Sequence, residues 1–381
     1  MDIYRRFGVK RVINAVGTVT FLGGSAPPKE VLEAMDEAAR GYVNMDELQR
    51  RASELIAEAT GAEAGHVTAG AAAGIVLATA ACIAGKDPEK IAMLPNSEGL
   101  RNEVVLPKMC SSSFNQCFML GGGRLVFAGT EDSCTEQDLE EAVGERTAAI
   151  GLLFYTGTER GYPLLERAVR VGRRRRVPVI VDAAAELPPE ENLRGIVAAG
   201  ADLVIFSGGK AIQGPNDTGI LCGRRDLVEA AAAQASPHAG VGRPMKVSKE
   251  QVIGLLTALR LFTAKDFRAE RETWEAKVQS LIQLLSGIPH VAVRRVFPDV
   301  SKEYHAQCWP RASVTLDEGA LGVTAREVAE QLREGDPAIY VMLERNSLVV
   351  NPHLLQDGEE KLIAERLRAI LQKPASGGVV A

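Results

Sequence analysis

Cysteine and histidine are scarce in this sequence, and their spacing disfavours two classes of protein. The six cysteines contain no Cys-x-x-Cys pair and form no metal-ligand pattern with the five histidines, so neither a zinc site nor a disulfide framework is expected. This usage is typical of the reducing cytoplasm, which is the predicted location. The segment Met1 to Lys10 is charged and has no apolar core, so no targeting peptide is predicted.

An excess of positive charge is also missing. Lysine and arginine number 44 against 49 aspartates and glutamates, and the net charge of -5 provides no general attraction to nucleic acid or to an anionic membrane. The one basic run, Arg173 to Arg176, falls at the end of a predicted helix, where the helix dipole favours cations. It is interpreted as a solvated helix end, and a tRNA-binding patch is the alternative.

Long, strongly apolar runs are absent, although one segment needs an argument. Residues Val67 to Gly85 carry no charge and are nearly long enough to span a membrane, but most of them are small residues that gain little from lipid. We interpret this segment as a buried helix. Neither a membrane nor a nucleic acid is therefore expected as a partner.

The most informative stretch surrounds Lys210. Leu203 to Phe206 is a continuous apolar run typical of a strand buried on both faces, and Ser207 and two glycines break it just before the lysine. An ammonium group near a core is costly, so burial lowers the pKa of the lysine and leaves the free amine that Schiff-base chemistry needs. Gly208 and Gly209 let the backbone approach a bulky planar ligand. A solvated lysine in a glycine-rich turn is the alternative.

A second apolar strand, Val177 to Val181, is followed by Asp182. A carboxylate at the carboxyl end of a central strand lies where open α/β sheets bind ligands. Pyridoxal phosphate needs such an anion, because a carboxylate against the pyridine nitrogen keeps the ring protonated and able to take up carbanion charge. Ala184 points the same way if the strand continues, and would lie flat against the ring. The alternative is that Asp182 caps the next helix.

A third piece is the small-residue segment at Gly70, Ala71 and Ala72. Free backbone N–H groups at the start of a helix make an anion site, because the unpaired donors and the helix dipole both favour phosphate. These three residues are predicted to hold the phosphate of the cofactor, and the hydroxyl of Ser207 is predicted to add a hydrogen bond. Small residues that only allow close helix packing are the alternative.

The chain resembles fold-type I pyridoxal-phosphate enzymes in three features. These are a lysine after Ser-Gly-Gly, an earlier strand that ends on aspartate, and a small-residue phosphate turn that precedes both. Within that group it resembles the selenocysteine-synthase-like branch, and most closely the D-glucosaminate-6-phosphate ammonia-lyase-like proteins. The matching segments are Val12 to Thr18, Thr60 to Ala64, Thr68 to Gly74, Ser207 to Pro215 and Gly242 to Lys249. The combination is specific for the cofactor and less specific for the substrate, because the branch carries several activities on one scaffold.

The resemblance implies the fold-type I pyridoxal-phosphate-dependent transferase fold, which is of the α/β class. Alternating strands and helices in the middle of the chain independently predict a mostly parallel sheet with helices on both faces. At 381 residues the chain is too long for one core. We predict an N-terminal arm over residues 1–26, a large cofactor-binding domain over 27–245, and a linking helix with a small C-terminal α+β domain over 246–381. The linking helix is expected to run from Ser248 to about Ser286.

The resemblance also implies where the substrate binds. The selenium-transferase relatives carry an Arg-x-x-Arg pattern on a turn that faces the substrate, and here the turn contains Arg243 and Lys246. Paired cations suit a small anionic amino-acid substrate that bears phosphate or carboxylate. A solvated turn is the alternative.

The residue that contacts the cofactor ring is not evident from the sequence. Ammonia-lyase relatives often show a histidine near residues 97–103, but none is present here. Phe114 and Cys110 are therefore considered for contact with the ring, with core packing as their alternative.

The predicted function is a pyridoxal-phosphate-dependent ammonia-lyase. Lys210 removes the Cα proton of a β-hydroxy amino acid while Asp182 keeps the ring protonated, and loss of the β-hydroxyl leads to a 2-oxo acid and ammonia. The resemblance extends the substrate class to sugar amino acid phosphates. Selenium transfer to seryl-tRNA is the alternative, disfavoured because the chain begins almost at the Val12 motif and is expected to lack the N-terminal tRNA-binding domain. A racemase, an aldolase and a non-catalytic cofactor-binding regulatory protein also remain open.

The resemblance implies an oligomer as well. Fold-type I enzymes build each active site at a dimer interface, and the segment Gly214 to Thr218 lies just after the lysine. A neighbouring subunit is expected to reach the phosphate there, with Thr218 as a donor. The protein is therefore expected to be a homo-oligomer, at least a dimer.

Overall fold

Strands and helices alternate along the computed structural model, which describes residues 3–298 and 309–372. The strands are β1 (Val12–Ala15), β2 (Ala64–Thr68), β3 (Glu103–Pro107), β4 (Arg124–Ala128), β5 (Thr147–Leu153), β6 (Val179–Asp182), β7 (Leu203–Ser207), β8 (Gly219–Gly223), β9 (Val291–Val296), β10 (Arg311–Leu316), β11 (Ala338–Glu344) and β12 (Ser347–Val350). The helices are α1 (Ile3–Arg6), α2 (Lys29–Ala39), α3 (Met45–Thr60), α4 (Gly70–Ala84), α5 (Pro88–Met93), α6 (Asn115–Leu120), α7 (Glu136–Ala142), α8 (Tyr162–Arg175), α9 (Asn192–Ala198), α10 (Arg225–Ala232), α11 (Lys249–Thr263), α12 (Phe267–Leu285), α13 (Glu318–Leu321), α14 (Ala325–Glu334) and α15 (Glu359–Leu371). Among the helices of these described residues, none has both the length and the apolar character needed to cross a membrane.

The described residues form two compact units, and the first contains residues 25–265. Its seven-stranded sheet has the order β2-β8-β7-β6-β5-β3-β4. Strands β3 to β7 are parallel, whereas β8 runs antiparallel to both of its neighbours. Every residue of β6 is buried, which is why this strand reads as a continuous apolar run. The mostly parallel α/β sheet predicted from the sequence is confirmed.

Helix α4 packs on β7 and β8 in this unit, and nearly all of its residues from Ala73 to Ala84 are buried. The single buried helix predicted over Val67 to Gly85 is thus only partly correct, because Val67 and Thr68 end strand β2. Gly70 has a φ of +84°, a conformation that glycine adopts easily, and the chain changes from strand to helix there. Since α4 is apolar on all sides, it lacks the periodicity that would have marked its first residue.

The predicted linking helix from Ser248 to Ser286 is in fact two helices. Helix α11 begins at a capping box between Ser248 and Gln251. Helix α12 begins after Asp266, whose carboxylate accepts hydrogen bonds from two backbone N–H groups of the first turn. The break contains no glycine or proline, so apolar periodicity alone does not show it, and the N-cap aspartate is the local signal. The first unit ends at the same place, residue 265.

The second unit has a five-stranded sheet with the order β1-β11-β12-β10-β9. Its described residues are 3–24, 266–298 and 309–372. Strands β9 to β12 pair antiparallel, and β1 pairs parallel with β11. Helices α12, α14 and α15 contribute to the core, which includes Val314, Leu332 and Leu367. This is an α+β arrangement, and Val12–Ala15, predicted as part of an arm, is its edge strand.

The basic run at the end of α8 is engaged in ion pairs with α7. Arg174 binds Glu136 at 2.7 Å and Glu140 at 2.6 Å, and Arg175 binds Glu140 at 2.6 Å. The two arginine side chains are about half exposed, where a single ion pair contributes roughly 0–1 kcal/mol to stability. These contacts support the interpretation of Arg173 to Arg176 as a helix end.

Candidate active site

The central parallel strands bring Asp182 and Lys210 to one edge of the sheet in the first unit. Asp182 is the last residue of β6 and pairs with Leu153 of β5 and with Ile205 of β7. Strand β7 ends at Ser207, and Lys210 follows in the next turn. The carboxyl ends of parallel strands form the edge at which α/β folds bind ligands.

A closely packed turn holds the backbone of Lys210. The Gln213 N–H donates a hydrogen bond to the Lys210 carbonyl at 2.9 Å. A side chain on Gly209 would overlap the Cα atom of Asn216, so glycine is required at that position. The Ser25 hydroxyl also donates to the Gly209 carbonyl at 2.9 Å. The lysine therefore projects from a turn whose path is fixed on both sides.

Lys210 is a partly buried amine with two carboxylates near it. Burial lowers the pKa of its ammonium group below the usual value, and the charges of Asp182 and Glu186 act in the opposite direction. A lysine whose ammonium form is disfavoured is a source of free amine. The position therefore differs from a fully solvated lysine in a turn.

Asp182 is a buried carboxylate that is only 5% exposed. Its Oδ1 accepts a hydrogen bond from the Ala184 N–H at 3.0 Å. Burial raises the pKa of the Asp182 carboxyl, and this hydrogen bond and the charge of Lys210 oppose the increase. Asp182 does not cap the next helix, because α9 begins at Asn192 with Glu191 in the N-cap position.

Strand β6 ends before Ala184. The predicted contact of Ala184 with the cofactor ring required this strand to continue through Ala184. Residues 183–185 leave the strand after Asp182, so strand alternation does not set the direction of the Ala184 side chain. The backbone N–H of Ala184 binds the aspartate carboxylate instead. A contact between Ala184 and the cofactor ring stays a prediction.

Ser207 and the first turn of α4 lie at the same edge of the sheet, on either side of β8. Ser207 pairs with Gly219, and Gly219 pairs with the last residue of β2. A Cβ atom on Gly219 would lie 2.7 Å from the Ala71 nitrogen, so the absence of a side chain permits this close approach. Gly70, Ala71 and Ala72 form the helix start, where backbone N–H groups have no partner within the helix. The arrangement provides the donors that an anion site requires.

These groups fit the three parts of pyridoxal phosphate. Lys210 would supply an amine for the carbonyl carbon, Asp182 a buried carboxylate for the ring nitrogen, and the first turn of α4 N–H donors for the phosphate. The roles assigned to Lys210, Asp182, Gly70, Ala71, Ala72 and Ser207 stay predictions. Keeping an acid and a lysine buried together is costly for a protein, which supports a functional site at this edge.

Thr218 is fully buried. Its hydroxyl donates a hydrogen bond to the Pro215 carbonyl at 2.6 Å. A side chain on Gly208 would overlap the Thr218 hydroxyl, so the threonine packs directly against the lysine turn. Its role as a phosphate donor stays a prediction.

Arg243 and Lys246 are exposed on a turn that follows α10. The turn is held by a hydrogen bond from the Gly242 N–H to the Gln234 carbonyl at 3.0 Å. A side chain on Gly240 would lie 2.6 Å from the Gln234 Cα atom, so the turn packs closely on the end of α10. Both cations are held outside the core, and their binding to a substrate anion stays a prediction.

Glu186 is the residue of this cluster that the sequence pattern did not assign. It is only 1% exposed, and burial raises its pKa to about 7, while Thr156 and the charge of Lys210 oppose the increase. Its Oε2 accepts a hydrogen bond from the Thr156 N–H at 2.7 Å. The feature of the sequence that could have indicated Glu186 is its position shortly after Asp182 in an alanine-rich stretch.

The two residues considered for ring contact differ in their surroundings. Cys110 is buried, and its thiol donates to the Leu153 carbonyl at 3.4 Å. Burial raises the pKa of this thiol to about 11. Phe114 is 51% exposed, so its side chain does not contribute to a core. Contact of either side chain with the ring stays a prediction.

Comparison with known proteins covers nearly the whole chain. A family model described as L-seryl-tRNA selenium transferase matches residues 12–285. D-glucosaminate-6-phosphate ammonia lyase of Salmonella typhimurium (strain 14028s / SGSC 2262) is 35% identical, and the alignment covers 98% of this chain and 99% of that protein. The 5'-C-glycyluridine monooxygenase-decarboxylase of a Streptomyces species is 38% identical, with 97% and 92% covered.

A solved structure agrees with these matches. The structure of D-glucosaminate-6-phosphate ammonia-lyase has a TM-score of 0.87 and 35% identity to this chain, covering 97% of this chain and 98% of that one. These comparisons confirm the predicted family and the fold-type I architecture. They also confirm that the protein is a pyridoxal-phosphate-dependent enzyme. The chain belongs to the L-seryl-tRNA selenium transferase family of pyridoxal-phosphate enzymes.

Proposed function

We propose that the chain catalyses the dehydrating deamination of a β-hydroxy amino acid, in particular a sugar amino acid phosphate, to a 2-oxo acid and ammonia. The observation that carries this proposal is the similarity to D-glucosaminate-6-phosphate ammonia lyase, at 35% identity over 98% of the chain. The site supports it, because a lysine with a lowered pKa lies beside buried carboxylates at the edge of the sheet. An ammonia-lyase needs such an amine to remove a proton from its substrate.

The residues of this chain bind the cofactor and move the protons. Pyridoxal phosphate, when bound, supplies an electrophilic carbonyl and a ring that takes up electron density. Lys210 would hold the cofactor through its amine, and its free Nζ would remove the Cα proton of the substrate. The Asp182 carboxylate would hold the ring nitrogen of the cofactor and favour its protonated form. The first turn of α4 and Ser207 bind the phosphate and so orient the ring.

The reaction balances without an outside oxidant or reductant. The proton taken by Lys210 Nζ and the β-hydroxyl of the substrate together form the water that leaves. Hydrolysis of the released enamine then takes up one water and frees ammonia. The net change is therefore loss of ammonia from the amino acid, which leaves a 2-oxo acid.

A substrate screen tests this function. Purified protein loaded with pyridoxal phosphate is incubated with D- and L-β-hydroxy amino acids and with sugar amino acids, each with and without phosphate. We expect equal amounts of 2-oxo acid and ammonia, with the highest kcat/KM for a phosphorylated sugar amino acid. Exchange of the Cα proton, or cleavage of the Cα–Cβ bond, without ammonia release would indicate a racemase or an aldolase instead.

A monooxygenase-decarboxylase is the second candidate, because the relative with that name is 38% identical over 97% of the chain. An oxygen electrode and a carbon dioxide assay distinguish the two reactions. An ammonia-lyase gives the same product yield without dioxygen and releases no carbon dioxide. Dioxygen-dependent release of carbon dioxide from a glycyl nucleoside would favour the second candidate.

The turn with Arg243 and Lys246 is proposed to bind the anionic part of the substrate. Changing Arg243 to methionine removes a charge-assisted contact worth about 1.5–3 kcal/mol, so kcat/KM should fall roughly ten- to 150-fold. The absorbance of the bound cofactor should not change. Arg260→Met, near the exposed end of α11, is the matched control and should keep full activity. Loss of the cofactor from the Arg243 variant, or its full activity, would contradict the assignment.

We also propose that the protein is a cytoplasmic homo-oligomer without a nucleic-acid partner. The resemblance to fold-type I enzymes supports an active site shared between subunits, and Gly214 to Thr218 is the segment expected to lie at that interface. Light scattering should give at least twice the mass of one chain under assay conditions. A protein that is fully active as a strict monomer would refute this proposal.

A further inference from the structure

Residues 208–214, the lysine turn, form a loop that is closed by its own backbone. The Gly214 N–H donates a hydrogen bond to the Gly208 carbonyl at 2.8 Å, and the Gln213 N–H donates to the Lys210 carbonyl at 2.9 Å. Lys210 therefore lies within a short loop whose two ends are bonded to each other. The shape of this loop sets the point from which the Lys210 side chain projects, so the groups that fix the loop also orient the amine.

Gln213 has an unusual backbone conformation for its residue type. Its φ of +59° lies in the left-handed region, where a residue with a Cβ atom loses free energy and glycine does not. The next residue, Gly214, bonds back to Gly208, so the turn depends on this reversal of the chain. A glutamine at a position that suits glycine points to a role for its side chain.

The side chain of Gln213 is bound by a lysine 52 residues away in the sequence. The Lys265 Nζ donates a hydrogen bond to Gln213 Oε1 at 3.0 Å, and both residues are partly buried. A charged donor makes such a bond stronger than one between neutral groups. The backbone N–H of Lys265 also donates to the Phe262 carbonyl at 3.2 Å, which fixes Lys265 to the last turn of α11. The lysine turn is therefore tied to the end of α11.

Helix α11 supports the same turn by packing along one side of it. A Cβ atom on Gly208 would lie 2.6 Å from Leu255 Cδ1, and a Cβ atom on Gly214 would lie 3.2 Å from the same atom. Ala258 is also close, since its Cβ would lie 3.4 Å from a Cβ atom on Gly214. Leu255 and Ala258 are three residues apart and so lie on one face of the helix. Both ends of the loop thus rest on α11.

We propose that Gln213 and Lys265 form a pair of positioning residues whose hydrogen bond keeps the lysine turn in one shape and so holds Lys210 Nζ in its productive direction. Neither residue takes part in a chemical step. The bond to Lys265 and the packing of α11 offset the free energy that Gln213 loses in its left-handed conformation. The inference rests on the proposed function only in taking Lys210 as the reactive amine.

Circular dichroism in the absorbance band of the cofactor tests this role without turnover, in protein loaded with pyridoxal phosphate. The signal per bound cofactor depends on how firmly the cofactor is held at one angle. Gln213→Gly removes the acceptor and adopts the left-handed backbone easily, and Lys265→Met removes the donor. Both variants should lower the signal. Lys249→Met, which removes a lysine hydrogen bond to the Ala39 carbonyl at 3.2 Å, is the matched control and should leave the signal unchanged.

Kinetics of the same variants measure the effect on the reaction. With the active substrate, Gln213→Gly and Lys265→Met should each lower kcat about ten- to a hundred-fold with little change in KM, because a misdirected amine slows the chemical step without weakening binding. Lys265→Arg keeps a cationic donor and should retain most of kcat. The double variant should lose no more than either single variant, since both changes remove one hydrogen bond.

The outcomes separate a positioning role from a structural one and from the proposed function. A lower Tm with unchanged dichroism and unchanged kcat in both single variants would overturn the inference, and so would losses that add in the double variant. Dichroism that falls as expected, in a protein that releases no ammonia from any tested amino acid, would support the pair and count against the ammonia-lyase function.

Discussion

Replacing Lys210 with alanine is expected to remove the covalent attachment of the cofactor and to lower kcat by at least about 10³-fold. The Lys210 nitrogen is proposed to perform both tasks, and general-base catalysis alone contributes about 10²- to 10⁴-fold. The phosphate site and Asp182 remain in this variant, so pyridoxal phosphate should still bind, but more weakly. Absorbance spectroscopy measures the attachment, and steady-state kinetics measures the turnover.

Borohydride reduction followed by peptide mapping identifies the attachment site directly. In the unchanged protein the reduced adduct is expected on Lys210. Lys86→Ala, which alters an exposed lysine paired with Glu229, is the control and should match the unchanged protein in both assays. An adduct on a different lysine, or normal turnover by Lys210→Ala, would be incompatible with the assigned role.

Changing Asp182 to asparagine is expected to lower kcat by about 10²- to 10⁴-fold with little change in KM. The buried carboxylate is proposed to stabilise the protonated ring nitrogen, and breaking a buried charge pair costs about 3–5 kcal/mol. The amide has nearly the same shape and keeps an acceptor for the Ala184 N–H, so the fold should be preserved. The absorbance of the bound cofactor should change, since the ring nitrogen loses its proton more easily.

Asp182→Asn and Arg243→Met are expected to affect different properties of the enzyme. The first should change the cofactor spectrum and kcat, whereas the second should change kcat/KM and leave the spectrum intact. An Asp182→Asn protein with the unchanged spectrum and unchanged kcat would show that this carboxylate does not bind the ring. A variant that loses its circular dichroism signal would be replaced by Asp182→Glu, for which a partial loss of kcat is expected.

Much of the site could be predicted because it lies at the ends of buried strands. Leu203 to Phe206 and Val177 to Val181 are apolar runs, and β7 and β6 occupy these segments. Parallel strands end at a common edge, so Asp182 and Lys210 could be grouped from their positions alone. The start of α4 was also recognisable from its small residues, although the preceding strand was not.

The position of Glu186 could not be predicted in this way. The residue follows the end of β6, where strand alternation no longer determines which way a side chain points. Its partner Thr156 is 30 residues away in the sequence, and the side-chain amide of Asn192, at the start of α9, donates to the Glu186 carbonyl. Local periodicity reports how deeply a residue is buried, but it carries no information about which distant polar group meets it.

The sequence by itself determined the family, the parallel sheet and the lysine and aspartate at its edge, because apolar runs and motif spacing depend on neighbouring residues. Only the tertiary structure decided which elements meet. The antiparallel insertion of β8 aligns Ser207 with the start of α4. Val12–Ala15 was predicted as part of an arm, and it forms a strand because it pairs with β11. These contacts join residues far apart in the chain, and their free energy arises from packing and hydrogen bonds that exist only in the folded protein.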